Sequence, residues 1–146
     1  MNPVSIAPPI IVPEPDWPAL FNDELDQANA KEYWRLVVDE LRDRSLLSGA
    51  NGHSIQRLVC FYIMFDRMYR IVAEAGPVLQ PKKSNKTAIA RISPHFSAMR
   101  EAGNEATALE AELGISPRRR STVSKAERAK KLNRASDSYL KNGTNG

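Results

Sequence analysis

The chain of 146 residues has one cysteine and two histidines. A single thiol excludes an intrachain disulfide. Cys60 lies inside the apolar run Leu58-Val59-Cys60-Phe61-Tyr62-Ile63-Met64-Phe65, where a buried structural thiol is expected rather than a nucleophile. Neither His53 nor His95 has a cysteine or carboxylate nearby at metal-ligand spacing, so no metal site is expected. The sequence holds no phosphate-binding Walker loop and no G-x-G-x-x-G, and no cofactor is implied. Asp39, Glu40 and Asp43 read as a solvated helix face rather than a paired acid and base. No apolar run is long enough to span a bilayer. The segment 3–13 is apolar, but its prolines break a helix and no basic region precedes it, which makes a poor secretion signal. These absences point to a soluble intracellular protein that is not an enzyme.

What is present is charge polarity. The overall charge of +4 conceals two opposed ends. Residues 1–30 carry five acids (Glu14, Asp16, Asp23, Glu24 and Asp26) and no lysine or arginine. Residues 114–146 carry nine bases against Glu127 and Asp137, a net of +7. Such an arm is suited to nucleic acid, and the acidic end to a basic partner.

The order of elements reads as mainly helical. Prolines 3, 8, 9, 13, 15 and 18 favour an extended arm. This arm is expected either to lie across a neighbour in an assembly or to be disordered. Helical spacing then predicts a first helix over 27–47, with Ala30, Trp34, Val37, Val38, Leu41 and the stem of Arg42 on one face. The turn Ser48-Gly49-Ala50-Asn51-Gly52 ends it, with Asn51 as the expected cap of the next helix. The second helix is predicted over 54–75. Its main stripe is Ile55, Leu58, Val59, Tyr62, Met68 or Tyr69, and Val72; Phe61, Ile63, Met64 and Phe65 widen the stripe almost all round. A helix apolar on most faces must be covered on most faces, which favours subunit association over a simple three-helix core.

Gly76-Pro77 stops that helix. Residues 78–92 then form either an irregular loop or a short β-hairpin whose arms are Val78-Leu79 and Ala88-Ile89-Ala90. In both cases Lys82, Lys83 and Lys86 are displayed at a tip where they can touch a phosphate backbone. Ser93-Pro94 starts a third helix, with Phe96, Met99, Ala102, Ala106, Leu109 and Leu113 on its buried face and a kink expected near Gly103 and Asn104. A final thin helical segment is predicted over 124–140, opened by the capping-box pattern Ser124-Lys125-Ala126-Glu127.

The densest local signal is Leu113-Gly114-Ile115-Ser116-Pro117-Arg118-Arg119-Arg120. Gly114 fits the left-handed residue that ends a helix, and Ser116 with Pro117 fits the start of another. Three arginines at a helix start oppose the helix dipole, so local energetics do not explain them, whereas an anionic partner does. Lys125, Arg128 and Lys131 recur at helical spacing, with Lys130 and Arg134 close by, giving a cationic stripe for duplex phosphates.

This ordered set of features resembles the small terminase subunit of tailed double-stranded DNA bacteriophages. The set is Trp34 in the first helix, Leu47-Ser48-Gly49, the aromatic-rich helix ending at Gly76, Ile92-Ser93-Pro94, and the signature Leu-Gly-Ile-Ser-Pro-x-x-Arg ending at Arg120. Typical members carry an acidic residue after the first turn, where this chain has Asn51-Gly52-His53. The resemblance implies a helical protein that closes into a homo-oligomeric ring, recognises viral DNA and presents it to the large terminase subunit. The large subunit holds the ATPase and nuclease, so the resemblance implies no catalytic residues here and places the protein in the host bacterial cytoplasm.

The expected architecture is therefore all-α antiparallel helices with a possible hairpin at 78–92, assembled as a ring. A Pro-rich acidic arm covers 1–25, an oligomerisation core 26–115, and a basic segment for DNA and the motor 116–146. Arg118, Arg119, Arg120, Lys125, Arg128, Lys130, Lys131, Arg134, Lys82, Lys83 and Lys86 are the expected DNA contacts. Trp34, Val38, Leu41, Phe61, Tyr62, Phe65 and Met68 are the expected core and subunit interface. Expected partners are double-stranded viral DNA, the large subunit and further copies of the chain, with no membrane. Two rival readings are a helix-turn-helix regulator, disfavoured because the second helix is too apolar for a major groove, and a phage structural protein that does not bind DNA.

Overall fold

A computed structural model describes residues 8–84 and 86–116. Its elements in order are α1 (Trp17–Leu20), α2 (Glu24–Asp43), a 3-10 turn (Gly49–Asn51), α3 (Gly52–Ala75), β1 (Val78–Leu79), β2 (Arg91–Ile92) and α4 (Pro94–Leu113). The fold is mainly α, with α3 packed against α2 on one side and α4 on another.

The helix following the arm starts and stops earlier than its hydrophobic periodicity suggests. Asp23 is its cap, accepting from the Asp26 N–H at 3.1 Å, so the first turn forms before the apolar stripe begins. At the other end Ser45 takes a left-handed conformation (φ 57°), and the Leu46 N–H returns to the Leu41 carbonyl at 2.8 Å. This closing motif usually uses glycine. Helix α2 buries Ala30, Trp34, Val37, Val38 and Leu41 as the spacing requires. Arg42 is exposed instead of laying its stem on the core, and pairs with Asp39 at 3.3 Å.

Asn51 does not cap α3. Its backbone is already helical, and its side-chain amide donates to the Leu46 carbonyl at 3.0 Å, bracing the turn instead. Gly52 opens α3 because Val12 lies against it: a Cβ there would sit 3.2 Å from Val12 Cγ1. The buried stripe of α3 is Ile55, Leu58, Val59 and Ile63. Ile63 thus belongs to the centre of the core, not to a widened margin, whereas Tyr69 is exposed.

The arm packs on its own chain over the described residues. Val12 and Trp17 are both core residues. Trp17 meets Trp34 edge-on with ring centroids 5.9 Å apart, and its indole N–H donates to Glu14 at 2.9 Å. Large aromatic area buried against α2 offsets the loss of chain entropy that would otherwise leave such a segment free.

The hairpin forms, but its second arm is Arg91–Ile92 rather than 88–90. Val78 faces Ile92 and Leu79 faces Arg91, antiparallel. The register follows from the next helix: the Ser93 N–H donates to the Pro77 carbonyl at 2.9 Å, extending the ladder into the cap. Ser93 caps α4, its hydroxyl accepting from the His95 N–H at 3.2 Å. Helix α4 runs unbroken through Gly103. That glycine admits the Phe65 ring, which approaches within 3.4 Å of where its Cβ would be. Ala102, Ala106, Leu109 and Leu113 are buried, with Phe96 and Met99 half-buried. Gly114 ends the helix left-handed (φ 85°). The predicted segment 124–140 lies outside the described residues.

Candidate nucleic-acid interface

Arg35, Arg42 and Arg44, on α2 and its C-cap, are tied up locally. Arg35 bonds Glu32 at 2.5 Å and Asp39 at 3.3 Å, which holds the Glu32 carboxyl below its ordinary range. Arg44 pairs with Glu40 and donates to the Gly114 carbonyl at 3.0 Å. On the hairpin, by contrast, Lys82, Lys83, Lys86 and Arg91 are all exposed and make no ion pair among the described residues. The loop between the strands holds Ile89, 87% exposed, beside these cations. A shallow groove of about 480 Å³ lies along it, lined by Leu79, Lys82, Ile89 and Arg91 among others. Exposed lysines beside apolar side chains offer phosphate contact without base-specific information.

Arg118, Arg119, Arg120, Lys125, Arg128, Lys130, Lys131 and Arg134 lie outside the described residues. Of the expected interface and core residues, Trp34, Val38 and Leu41 are buried on α2. Phe61, Tyr62, Phe65 and Met68 are half-buried on α3. Phe61 and Tyr62 pack against the core; Phe65 stacks on Tyr69 with centroids 6.2 Å apart and lies against α4 at Gly103.

Three polar relationships escaped sequence reasoning. Asp26 is 1% exposed and is held by two arginines of α3: Arg67 donates from Nε, and Arg70 from Nη2 at 3.2 Å. Asp26 reads in sequence as an ordinary first-turn acid, and only its partners 41 and 44 residues away reveal its role. Tyr33 donates to Asp66 at 2.7 Å, and Tyr62 donates to Glu110 at 2.6 Å, with the two rings 5.0 Å apart. Burial, then the bond to Asp66, pushes the Tyr33 phenol up to about 12. Burial, then Glu110, raises Tyr62 further. Both are fixed as neutral donors, which suits joints between helices rather than proton transfer. Burial also pushes the Cys60 thiol up, away from thiolate chemistry. Among the described residues no group of three histidine, cysteine or acidic side chains is placed to hold a metal ion. No described helix is long and apolar enough to cross a membrane.

The family model described as phage terminase, small subunit, matches residues 30–130. The chain belongs to this family. No curated protein and no solved structure matches it. Small terminase subunits take part in phage DNA packaging within the infected host cell, and the family is typically non-catalytic. The match spans most of α2, all of α3, the hairpin and α4, and continues past the described fold to Lys130. It therefore takes in Arg118, Arg119, Arg120, Lys125 and Arg128, and stops before Lys131 and Arg134. In this small terminase subunit Trp17 and Val12 precede the matched segment yet pack into its core, and Asp26, also before it, is buried against two of its arginines.

Proposed function

We propose that copies of this chain assemble into a homo-oligomeric ring that binds viral DNA and delivers it to the large terminase subunit, regulating that motor. One observation carries the assembly. After α2 and α4 have covered the other sides of α3, Cys60, Met64, Met68 and Ile71 still form an apolar stripe along it. Met64 is 47% and Ile71 38% exposed, with Cys60 and Met68 half-buried between them. Spacings of four, four and three residues place them on one face, the pattern of a helix that meets another helix. A ring then multiplies each weak interaction with phosphate, so that the hairpin lysines and the 117–134 cations bind avidly together.

In this reading residues 26–115 form the oligomerisation core, 116–146 the basic segment for DNA and the motor, and 1–25 the acidic arm. The ring works in the host bacterial cytoplasm without a catalytic centre or cofactor of its own. A helix-turn-helix regulator is disfavoured because α3, the helix that would enter a major groove, is flanked by α2 and α4. Light-scattering mass of the full chain, with and without duplex DNA across a salt series, tests the proposal. A large closed species whose DNA affinity falls steeply with salt is expected. A ring indifferent to DNA at low salt supports a structural protein, and a small dimer that binds a short operator supports a regulator.

A further inference from the structure

A groove of about 350 Å³ runs over Tyr62 between α2 and the end of α4. It is lined by Tyr33, Leu36, Val37, Tyr62 and Ile115, with Leu36 half exposed, and by the carboxylates of Glu40 and Glu110. Both helices that frame it are acidic: the residues of α2 sum to −3, and so do those of α4. The chain leaves the described fold at this rim, and its exit is pinned. The Ile115 N–H returns to the Glu110 carbonyl at 3.0 Å, the Gly114 carbonyl accepts from Arg44, and Ser116 is 4% exposed. Two residues beyond Ser116 the sequence turns to Arg118-Arg119-Arg120. The described residues sum to −3, and residues 117–146 to +7.

We propose that the segment beginning at Pro117 docks in this groove of its own chain when DNA is absent, its arginines against Glu40 and Glu110, and that duplex phosphates compete it away. Glu40 pairs with Arg44 and Glu110 accepts from Tyr62, and an ionised carboxylate offers about four acceptor sites. Exposed ion pairs are individually weak. Tethering a few residues from the groove supplies an effective concentration in roughly the millimolar range, which suffices for a contact meant to be displaced. The polyanion offers many more charges than two carboxylates do, so DNA wins at low salt. The docked state would suppress loose attachment of the basic segment to other anions.

The release step rests on the proposed DNA binding, whereas the docking does not. Zero-length carbodiimide coupling of the full chain is expected to join Lys125 to Glu40 or Glu110 without DNA, and to lose that product when a 30-base-pair duplex or high salt is added. Mixing isotopically labelled and unlabelled chains separates the two geometries: products within one chain support the proposal, and products only between copies overturn it. The double variant Glu40→Gln, Glu110→Gln is expected to bind the same duplex about fivefold more tightly at fixed salt. No coupling in the wild-type chain, or unaltered affinity in the folded variant, overturns the proposal. Coupling in a chain that never binds DNA would leave the docking standing and remove the DNA reading instead.

Discussion

Arg70 donates to Asp26 at 3.2 Å, tying the C-terminal half of α3 to the first turn of α2. The partners differ in burial: Asp26 is 1% exposed, whereas Arg67 and Arg70 are 43% and 46% exposed. The asymmetry fixes which side is costly to remove. Taking away both arginines strands a buried carboxylate, and the double variant Arg67→Ala, Arg70→Ala is expected to lose about 3–5 kcal/mol. Asp26→Asn leaves two arginines that reach water and is expected to cost about 1–2 kcal/mol. Urea midpoints of the variants check the order, and a reversed order would show that the arginines carry no such load.

The two tyrosines make stability fall at alkaline pH. Tyr33 is raised to about 12 from an ordinary value near 10, and Tyr62 is raised as well. Folding therefore favours the protonated phenols. Their contribution is complete below about pH 10 and is lost as the pH rises towards 12. The double variant Tyr33→Phe, Tyr62→Phe should show a flatter loss across that window when urea midpoints are followed against pH.

Gly114 holds φ 85°, and a Cβ there would lie 3.1 Å from Leu46 Cδ1. Both strain and crowding oppose any side chain. Gly114→Ala is expected to lower stability by about 1–2 kcal/mol, read as a fall in the thermal midpoint. Because this glycine sets the exit beside Glu110, the same variant should also alter the yield of the Lys125 coupling product.

Assembly and folding can be separated on α3. Phe61 packs against the core of its own chain and Phe65 against α4. Phe61→Asp and Phe65→Asp should therefore weaken folding, since a buried unpaired charge is strongly unfavourable. Met64→Asp and Ile71→Asp act on exposed positions and are expected to reduce the mass seen by light scattering, with a thermal midpoint near that of the wild type. Normal assembly by both folded variants would remove the stripe from the interface.

Replacing Arg118, Arg119, Arg120, Lys130 and Lys131 by alanine is expected to weaken duplex binding and flatten its salt dependence. The slope of log affinity against log salt should fall by about 0.9 for each phosphate that is no longer neutralised. Replacing Lys82, Lys83 and Lys86 should do the same to a smaller degree. Unchanged slopes in a filter-binding titration would exclude the altered segment from the interface.

Helix identity was legible because it is local. The spacing of Ala30, Trp34, Val37, Val38 and Leu41 is enough to place one face of α2 inward, and Ser93-Pro94 and Gly114 carry their own backbone chemistry at the ends of α4. The family was legible too, because the features that resemble it follow one another along the chain, and the family model matches residues 30–130. Tertiary structure decided what depends on partners far along the chain. Val12 and Trp17 entered the core because α2 and α3 together present apolar surface that proline content does not reveal. Ile63 became central because α2 and α4 cover different sides of a helix that is apolar nearly all round, a choice its own periodicity leaves undetermined. Asp26 gained its arginines, and Glu40 and Glu110 came to flank one groove, only when helices separated in sequence were brought side by side. Local propensity acts over a few residues, whereas burial and charge pairing act between whatever the fold brings into contact.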